Sequence, residues 1–229
     1  MGSDTVYLWL SDQGDGNTAE IASDVAISAK VAIQGRANRL VLGSGVMLDS
    51  DDPSRVETAI TISGDRNEVI IGPGCRLNIS LCIEGDDCRI VIGADCILTF
   101  NANLRAGGLI EIGDGTTMVK GAMQVHERAT IRIGRDCMVS TLVYISVSDI
   151  HPIYDRANGE RINPPASVTI GDHVWLGLRS MIMKGAHIEA GAVVAAGAVV
   201  SGHVPAASIV AGAPAKVLRQ DIEWRRDFK

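Results

Sequence analysis

Aromatic side chains make up only 3% of this 229-residue chain, although hydrophobic residues make up 46%. A core filled with so little Phe, Tyr or Trp is narrow and lined by Ile, Val, Leu and Ala, with the 25 glycines at corners that need permissive backbone angles. No apolar run approaches the roughly 18 residues of a membrane span, and no secretory leader opens the sequence; the expectation is a soluble, cytoplasmic protein without an integral membrane segment. Basic charge is scarce as well. With a net charge of -6 and a pI near 5.3, the chain lacks the basic face that phosphate backbones require, so nucleic acid is not an expected partner. Arg225, Arg226 and Lys229 form only a small C-terminal basic cluster.

What the chain has instead is a repeat. Ile-Gly pairs recur at Ile71-Gly72, Ile92-Gly93, Ile112-Gly113, Ile133-Gly134 and Ile170-Gly171, and from Ile170 an apolar residue returns every sixth position, at Leu176, Ile182, Ile188, Val194 and Val200. A helix repeats near 3.6 and a strand at 2, so a period of six marks a short strand plus a turn repeated as one unit, the pattern of a parallel β-helix. A second, smaller series runs four residues behind: Val174, Ser180, Ala186, Ala192, Ala198 and Val204. The expected organisation is an N-terminal lead-in over 1–20, one all-β solenoid domain over 21–214, and a helix over 215–229, where Leu218 and Ile222 stand four apart. With parallel strands about 4.8 Å apart, some nine coils make a prism roughly 43 Å tall.

The repeat also accounts for the cysteines. Cys75, Cys96 and Cys137 each fall three residues after the glycine of an Ile-Gly pair, a slot that Thr116 and Val174 fill elsewhere. A slot shared by Cys, Thr and Val is a small inward position, and Cys82 and Cys88 lack C-x-x-C spacing, so all five thiols read as structural.

Interruptions of the repeat point to function. Asp49 to Ala59 reads as a surface loop. A larger break, 37 residues between Ile-Gly pairs, contains Pro152, Gly159, Pro164 and Pro165 and predicts a projecting loop at about 149–167. His151 stands there, at a place where the ladder Ile133, Val139, Ile145 calls for another apolar residue. A histidine on a loop leaving a rigid scaffold is a candidate proton acceptor; the bland alternative is a hydrogen-bonded corner residue.

The run Ser148-Asp149-Ile150-His151-Pro152-Ile153-Tyr154-Asp155, then Asn158-Gly159-Glu160, then Val168 to Gly177 with Trp175, and the closing Ala211-Gly212-Ala213-Pro214-Ala215-Lys216-Val217-Leu218-Arg219 resemble the hexapeptide-repeat acyltransferases. The likeness covers about 133–222 and is strongest to galactoside and maltose acetyltransferases and to capsule and lipopolysaccharide O-acetyltransferases. It implies a left-handed parallel β-helix, a homotrimer with a cleft between subunits, acetyl-CoA as co-substrate, and transfer to a hydroxyl of a sugar or cell-surface polysaccharide. In that pattern His151 matches the catalytic base and Trp175 the cleft tryptophan. Carried over by position, the coenzyme contacts are Gly177 and Ala196 through the backbone, Ser201 through its hydroxyl, and Lys216 and Arg219 toward the nucleotide phosphates. The chain departs from the pattern at Ser201-Gly202, where relatives often carry Thr-Lys, and at Leu178, which replaces a frequent serine.

Chemically, acyl transfer needs a base, donors for an oxyanion and a groove for the thioester. Asp149, Asp155 and Glu160 are alternative partners for the imidazole, and backbone N-H groups near Trp175 to Gly177 are candidate oxyanion donors. N-acetylation of a nucleotide-linked amino sugar is the alternative reaction, a non-catalytic β-helix scaffold the alternative class. A third reading is the zinc branch of such helices, which uses a His-x-x-x-x-His pair. His126, His151, His173, His187 and His203 contain none, and His173 and His187 fall on outward positions that read as solvated, so no metal is expected.

Overall fold

The computed structural model describes residues 7–48 and 59–227. Among these the chain is strand and turn throughout, wound as a left-handed parallel β-helix of about nine turns. Nine short strands, from Thr18–Ile21 to His203–Val204, stack as one sheet; fourteen others form a second. In this second sheet the strands are first long, as in Arg76–Glu84, Ile97–Arg105, Thr117–Val125 and Met138–Ser146. The two ends of Met138–Ser146 then pair with separate strands, Trp175–Leu176 and Met181–Ile182, so this sheet supplies two sides of the prism.

The inward series agree with the hexapeptide reading. Leu176, Ile182, Ile188, Val194 and Val200 are buried, as are Val174, Ser180, Ala186, Ala192, Ala198 and Val204. The glycine of the Ile-Gly pair has a different cause from the one expected. A Cβ on Gly134 would lie 2.6 Å from the backbone of Gly171 in the next coil, so no side chain fits there, and the left-handed backbone comes two residues later, at Asp136 with φ of 53°. Cys75, Cys96, Thr116, Cys137 and Val174 share one fully buried column. Each polar member donates to a glycine carbonyl of the next coil: Cys75 to Gly93, Cys96 to Gly113, Thr116 to Gly134 and Cys137 to Gly171. Burial pushes the Cys137 thiol up to about 11, and all five cysteines are free.

Two boundary expectations change, and a third falls outside the described residues. From Tyr7 onward the expected lead-in is already solenoid: Tyr7–Asp15 pairs residue for residue with Ser28–Arg36, and Thr18–Ile21 with Arg39–Leu42. Coils can therefore form here without Ile-Gly punctuation. The predicted loop at Asp49 to Ala59 lies, except for Ala59, outside the described residues. Finally, the helix expected over 215–229 is not formed. Lys216–Arg219 is a strand antiparallel to Ile209–Ala211, after which the chain runs back along the prism. The last coil would otherwise leave the Ile209–Ala211 edge unpaired, and Leu218, the supposed apolar face, is 68% exposed.

Candidate active site

The loop leaves the solenoid after Val147, the last inward residue of its coil, and re-enters at Val168. Ala166 donates its N-H to the Val147 carbonyl and closes the neck. Inside, Tyr154 bridges Arg161 across a tight turn in which Gly159 takes a φ of 74°. Three clamps fix the base. Asn163, only 7% exposed, accepts from the Ile153 N-H at 2.6 Å and donates to Asp149 at 2.8 Å and to the His151 carbonyl at 2.9 Å. Arg161 grips Glu127 through both terminal guanidinium nitrogens, and Lys184 binds Asp149. Lys184 and Asn163 together hold the Asp149 carboxyl below the usual carboxylate range.

His151 is not on the inward ladder. The ladder proceeds from Ile145 to Val147, and Ile150, with φ of 68°, turns the chain outward, so His151 stands exposed. Its backbone is held from both sides, by the Asp149 carbonyl at 2.7 Å and by Asn163, while its ring has no hydrogen-bond partner among the described residues. None of the three carboxylates considered for that ring reaches it. Asp149 is taken by Lys184 and Asn163, Asp155 caps the Ala157 N-H, and Glu160 receives Asn158.

Trp175 begins the next coil, 38% exposed, with its ring 6.1 Å from that of Trp224. Trp224 belongs to the C-terminal segment, for which the Leu218–Ile222 spacing predicts a helix. It stacks on His173 with centroids 4.0 Å apart and donates its indole N-H to the His173 carbonyl. His173 is thus not a solvated surface residue: its Nδ1 meets Asp136 at 2.6 Å and its Nε2 the Trp224 carbonyl at 3.1 Å. Arg226 extends the clasp to Asp136 and Thr117. Burial pushes the Asp136 carboxyl up, but the His173 and Arg226 hydrogen bonds outweigh it and hold it below its ordinary value.

The backbone donors differ from expectation. The N-H groups of Trp175 and Gly177 are spent on Ala192 and Val194 in the inter-coil ladder. Among the described residues, the groups at this corner without a backbone partner are the N-H of Leu178 and, one coil on, that of Ala196; Gly197 N-H links the two levels by bonding the Leu178 carbonyl. Gly177 permits that stacking, since a Cβ there would lie 2.7 Å from Ala196 N.

The remaining candidates divide between two sides of the prism, with Arg219 in the column of Trp175 and Ser201 just after Val199–Val200, the strand that pairs with Met181–Ile182. Trp175, Val193, Ile209 and Arg219 are consecutive register partners, so Arg219 lies three strand steps, about 14 Å, from Trp175. A one-residue bulge at Leu218 gives Lys216 and Arg219 the same facing, opposite Ala211 and Ile209, although they are three apart in a strand. Ser201 and Lys216 line one recess of about 260 Å³ with Pro214 and Ala215. Among the described residues no hydrogen bond or ring contact joins His151 to Trp175, and His151 is not part of the recess lining. Missed from sequence were Asn163, Lys184 and Trp224; only Trp224, a large aromatic in a polar tail, carried a signal.

Comparison with known proteins agrees with this architecture. A family profile described as the hexapeptide repeat of succinyl-transferase matches residues 167–201. The polysialic acid O-acetyltransferase of Neisseria meningitidis is 34% identical over 180 residues, spanning 74% of this chain and 80% of that protein. That of Escherichia coli O1:K1 is 37% identical over 123 residues, 54% of this chain and 40% of the relative. The solved structure of the polysialic acid O-acetyltransferase OatWY superimposes with a TM-score of 0.75 at 30% identity, covering 96% of this chain and 92% of that one. No helix among the described residues is long and apolar enough to cross a membrane. The chain belongs to the hexapeptide-repeat acyltransferases, in the family that includes these polysialic acid O-acetyltransferases.

Proposed function

We propose that this enzyme transfers the acetyl group of acetyl-CoA to a hydroxyl of a sialic-acid polymer or a related cell-surface polysaccharide, with His151 as general base. The observation that carries the proposal is an exposed, unpartnered imidazole whose backbone is clamped by Asn163 at the neck of a rigid loop, in a chain similar over most of its length to polysialic acid O-acetyltransferases. Neutral His151 accepts the hydroxyl proton as the oxygen attacks the thioester carbonyl. The tetrahedral oxyanion is met by a free backbone N-H, for which Leu178 is the candidate, and as the C-S bond breaks the imidazolium returns its proton to the departing thiolate. Trp175 borders the acyl end, Ala196 offers its N-H to the pantetheine arm, and Ser201, Lys216 and Arg219 meet the nucleotide end.

No hydrogen bond or ring contact among the described residues joins His151 to Trp175, and in this proposal a neighbouring copy in a homotrimer completes the working site. The exposed Ile150, Ile153, Tyr154 and Ile162 on the loop are apolar surface suited to that contact. The test supplies purified protein and acetyl-CoA with polysialic acid or with an amino sugar. Hydroxylamine-labile ester on the polymer is expected, falling by roughly 10²- to 10⁴-fold in kcat for His151→Ala; amide product alone, or an unaffected variant, refutes the assignment.

A further inference from the structure

A separate cluster stands on the outer face of the nine-stranded sheet. His187–Ile188 and His203–Val204 are adjacent strands with His187 directly opposite His203. Ile188 and Val204 fill the core, so both imidazoles project outward from the same side, their centroids 5.7 Å apart and their planes 15° from parallel. Glu189, two residues beyond His187, returns to that face. Its carboxylate accepts from His203 Nε2 at 2.9 Å and from the Ala206 N-H at 2.9 Å. One donor atom from each of the three side chains lies within 4.8 Å of the other two.

We propose that His187, Glu189 and His203 form a binding site for a divalent transition-metal ion of the Zn²⁺ type, tying two successive coils together. Two imidazoles and a carboxylate are a donor set for a borderline ion, and three protein ligands leave a position for water or an external ligand. Tetrahedral zinc with bonds near 2.0–2.2 Å needs donors about 3.3 Å apart. His203 Nε2 and the Glu189 carboxylate, 2.9 Å apart, open slightly and the wider separations close by about 1.5 Å at most, within reach of rotations of partly or wholly exposed side chains and without moving the strands. The His187 ring has no hydrogen-bond partner among the described residues, which leaves its nitrogens available. No short-range motif announces this site, because the coil, and not a local turn, sets the His187 to His203 spacing. His203 also lines the recess of Ser201 and Lys216, so a bound ion adds positive charge beside it.

The experiment is a Zn²⁺ titration of the reduced, tag-free native protein against a chromophoric chelator. One equivalent per chain with a Kd of about 1 µM or tighter is expected, weakened at least about tenfold by His187→Gln and by His203→Gln and unchanged by His126→Gln. Circular dichroism checks that the variants remain folded, as their exposed positions lead one to expect. Absence of saturable uptake up to about 100 µM, or an affinity indifferent to both histidine variants, overturns the proposal. The first outcome leaves an ordinary His203-Glu189 pair, and the second places the ion elsewhere.

Discussion

Replacing Asn163 by alanine should loosen the loop that carries His151 while sparing the solenoid. The side chain makes three short hydrogen bonds, one of them to the ionised Asp149. Neutral bonds contribute about 1 kcal/mol each and a bond to a charged group about 1.5–3 kcal/mol. Ile153 is 52% exposed, so water can replace Asn163 at its N-H, and that bond is discounted. The net loss is about 2.5–4 kcal/mol, equivalent to an opening equilibrium shifted roughly 70- to 900-fold toward the open loop.

Native-state hydrogen exchange reads this directly. The N-H groups of Ile153 and Ile162, bonded to Asn163 and to the Ile153 carbonyl, should exchange faster by that factor, with Ile133 and Ile170 in the coils unaffected. Asn163→Asp keeps the acceptor for Ile153 but removes both donors and sets a second carboxylate beside Asp149, so it should loosen the loop at least as much. Unchanged exchange at Ile153 and Ile162 would refute the assignment of Asn163 as the clamp. A collapse of the whole unfolding transition would refute the separation of loop from coil.

Truncating Trp224 to alanine removes a buried indole that stacks on His173; a loss of up to about 3–5 kcal/mol is expected from the C-terminal clasp, read as early proteolysis after Arg219 with the coil transition lowered far less. The Asp149 carboxyl lies below its unfolded value of about 3.9, so its contribution to loop order is complete above that value and is lost as pH falls through the folded one: loop protection factors, corrected for intrinsic exchange, should be flat from pH 7 to 5, fall below about pH 4, and show a smaller acid limb in Lys184→Met. Cys137, fully buried and with its thiol raised by burial, should resist iodoacetamide at pH 8 in the native protein and react on unfolding; native labelling would place it outside the core column.

Fold and sequence correspond most closely where the coil has 18 residues and each inward residue returns on a fixed count. The same count misleads wherever the chain leaves the prism. Carrying the six-residue ladder past Ile145 puts His151 inside, whereas Ile150 has already turned the backbone outward. At the N-terminus the opposite occurs: Tyr7–Asp15 and Ala26–Arg36 pair in register without the Ile-Gly signal. There the corners are carried partly by Asn38 and Asn67, each 1% exposed, whose amides bond the backbones of adjacent coils. An asparagine that caps a buried corner is indistinguishable in sequence from one in an exposed turn.

The C-terminal end fails for a related reason. Leu218 and Ile222 satisfy a helical period locally, but the demand that decides the conformation is the open edge of Ile209–Ala211, set by a coil that ends there. That edge converts Lys216 and Arg219 into strand residues, and the bulge at Leu218 gives them a common outward face on the column that descends from Trp175. Their usefulness toward an anionic ligand therefore depends on an irregularity no propensity scale contains. The candidate residues stand out in sequence because they belong to a motif; what orients them, from Asn163 behind His151 to Trp224 beside Trp175, is contributed by segments whose neighbours are fixed only once the coil has closed.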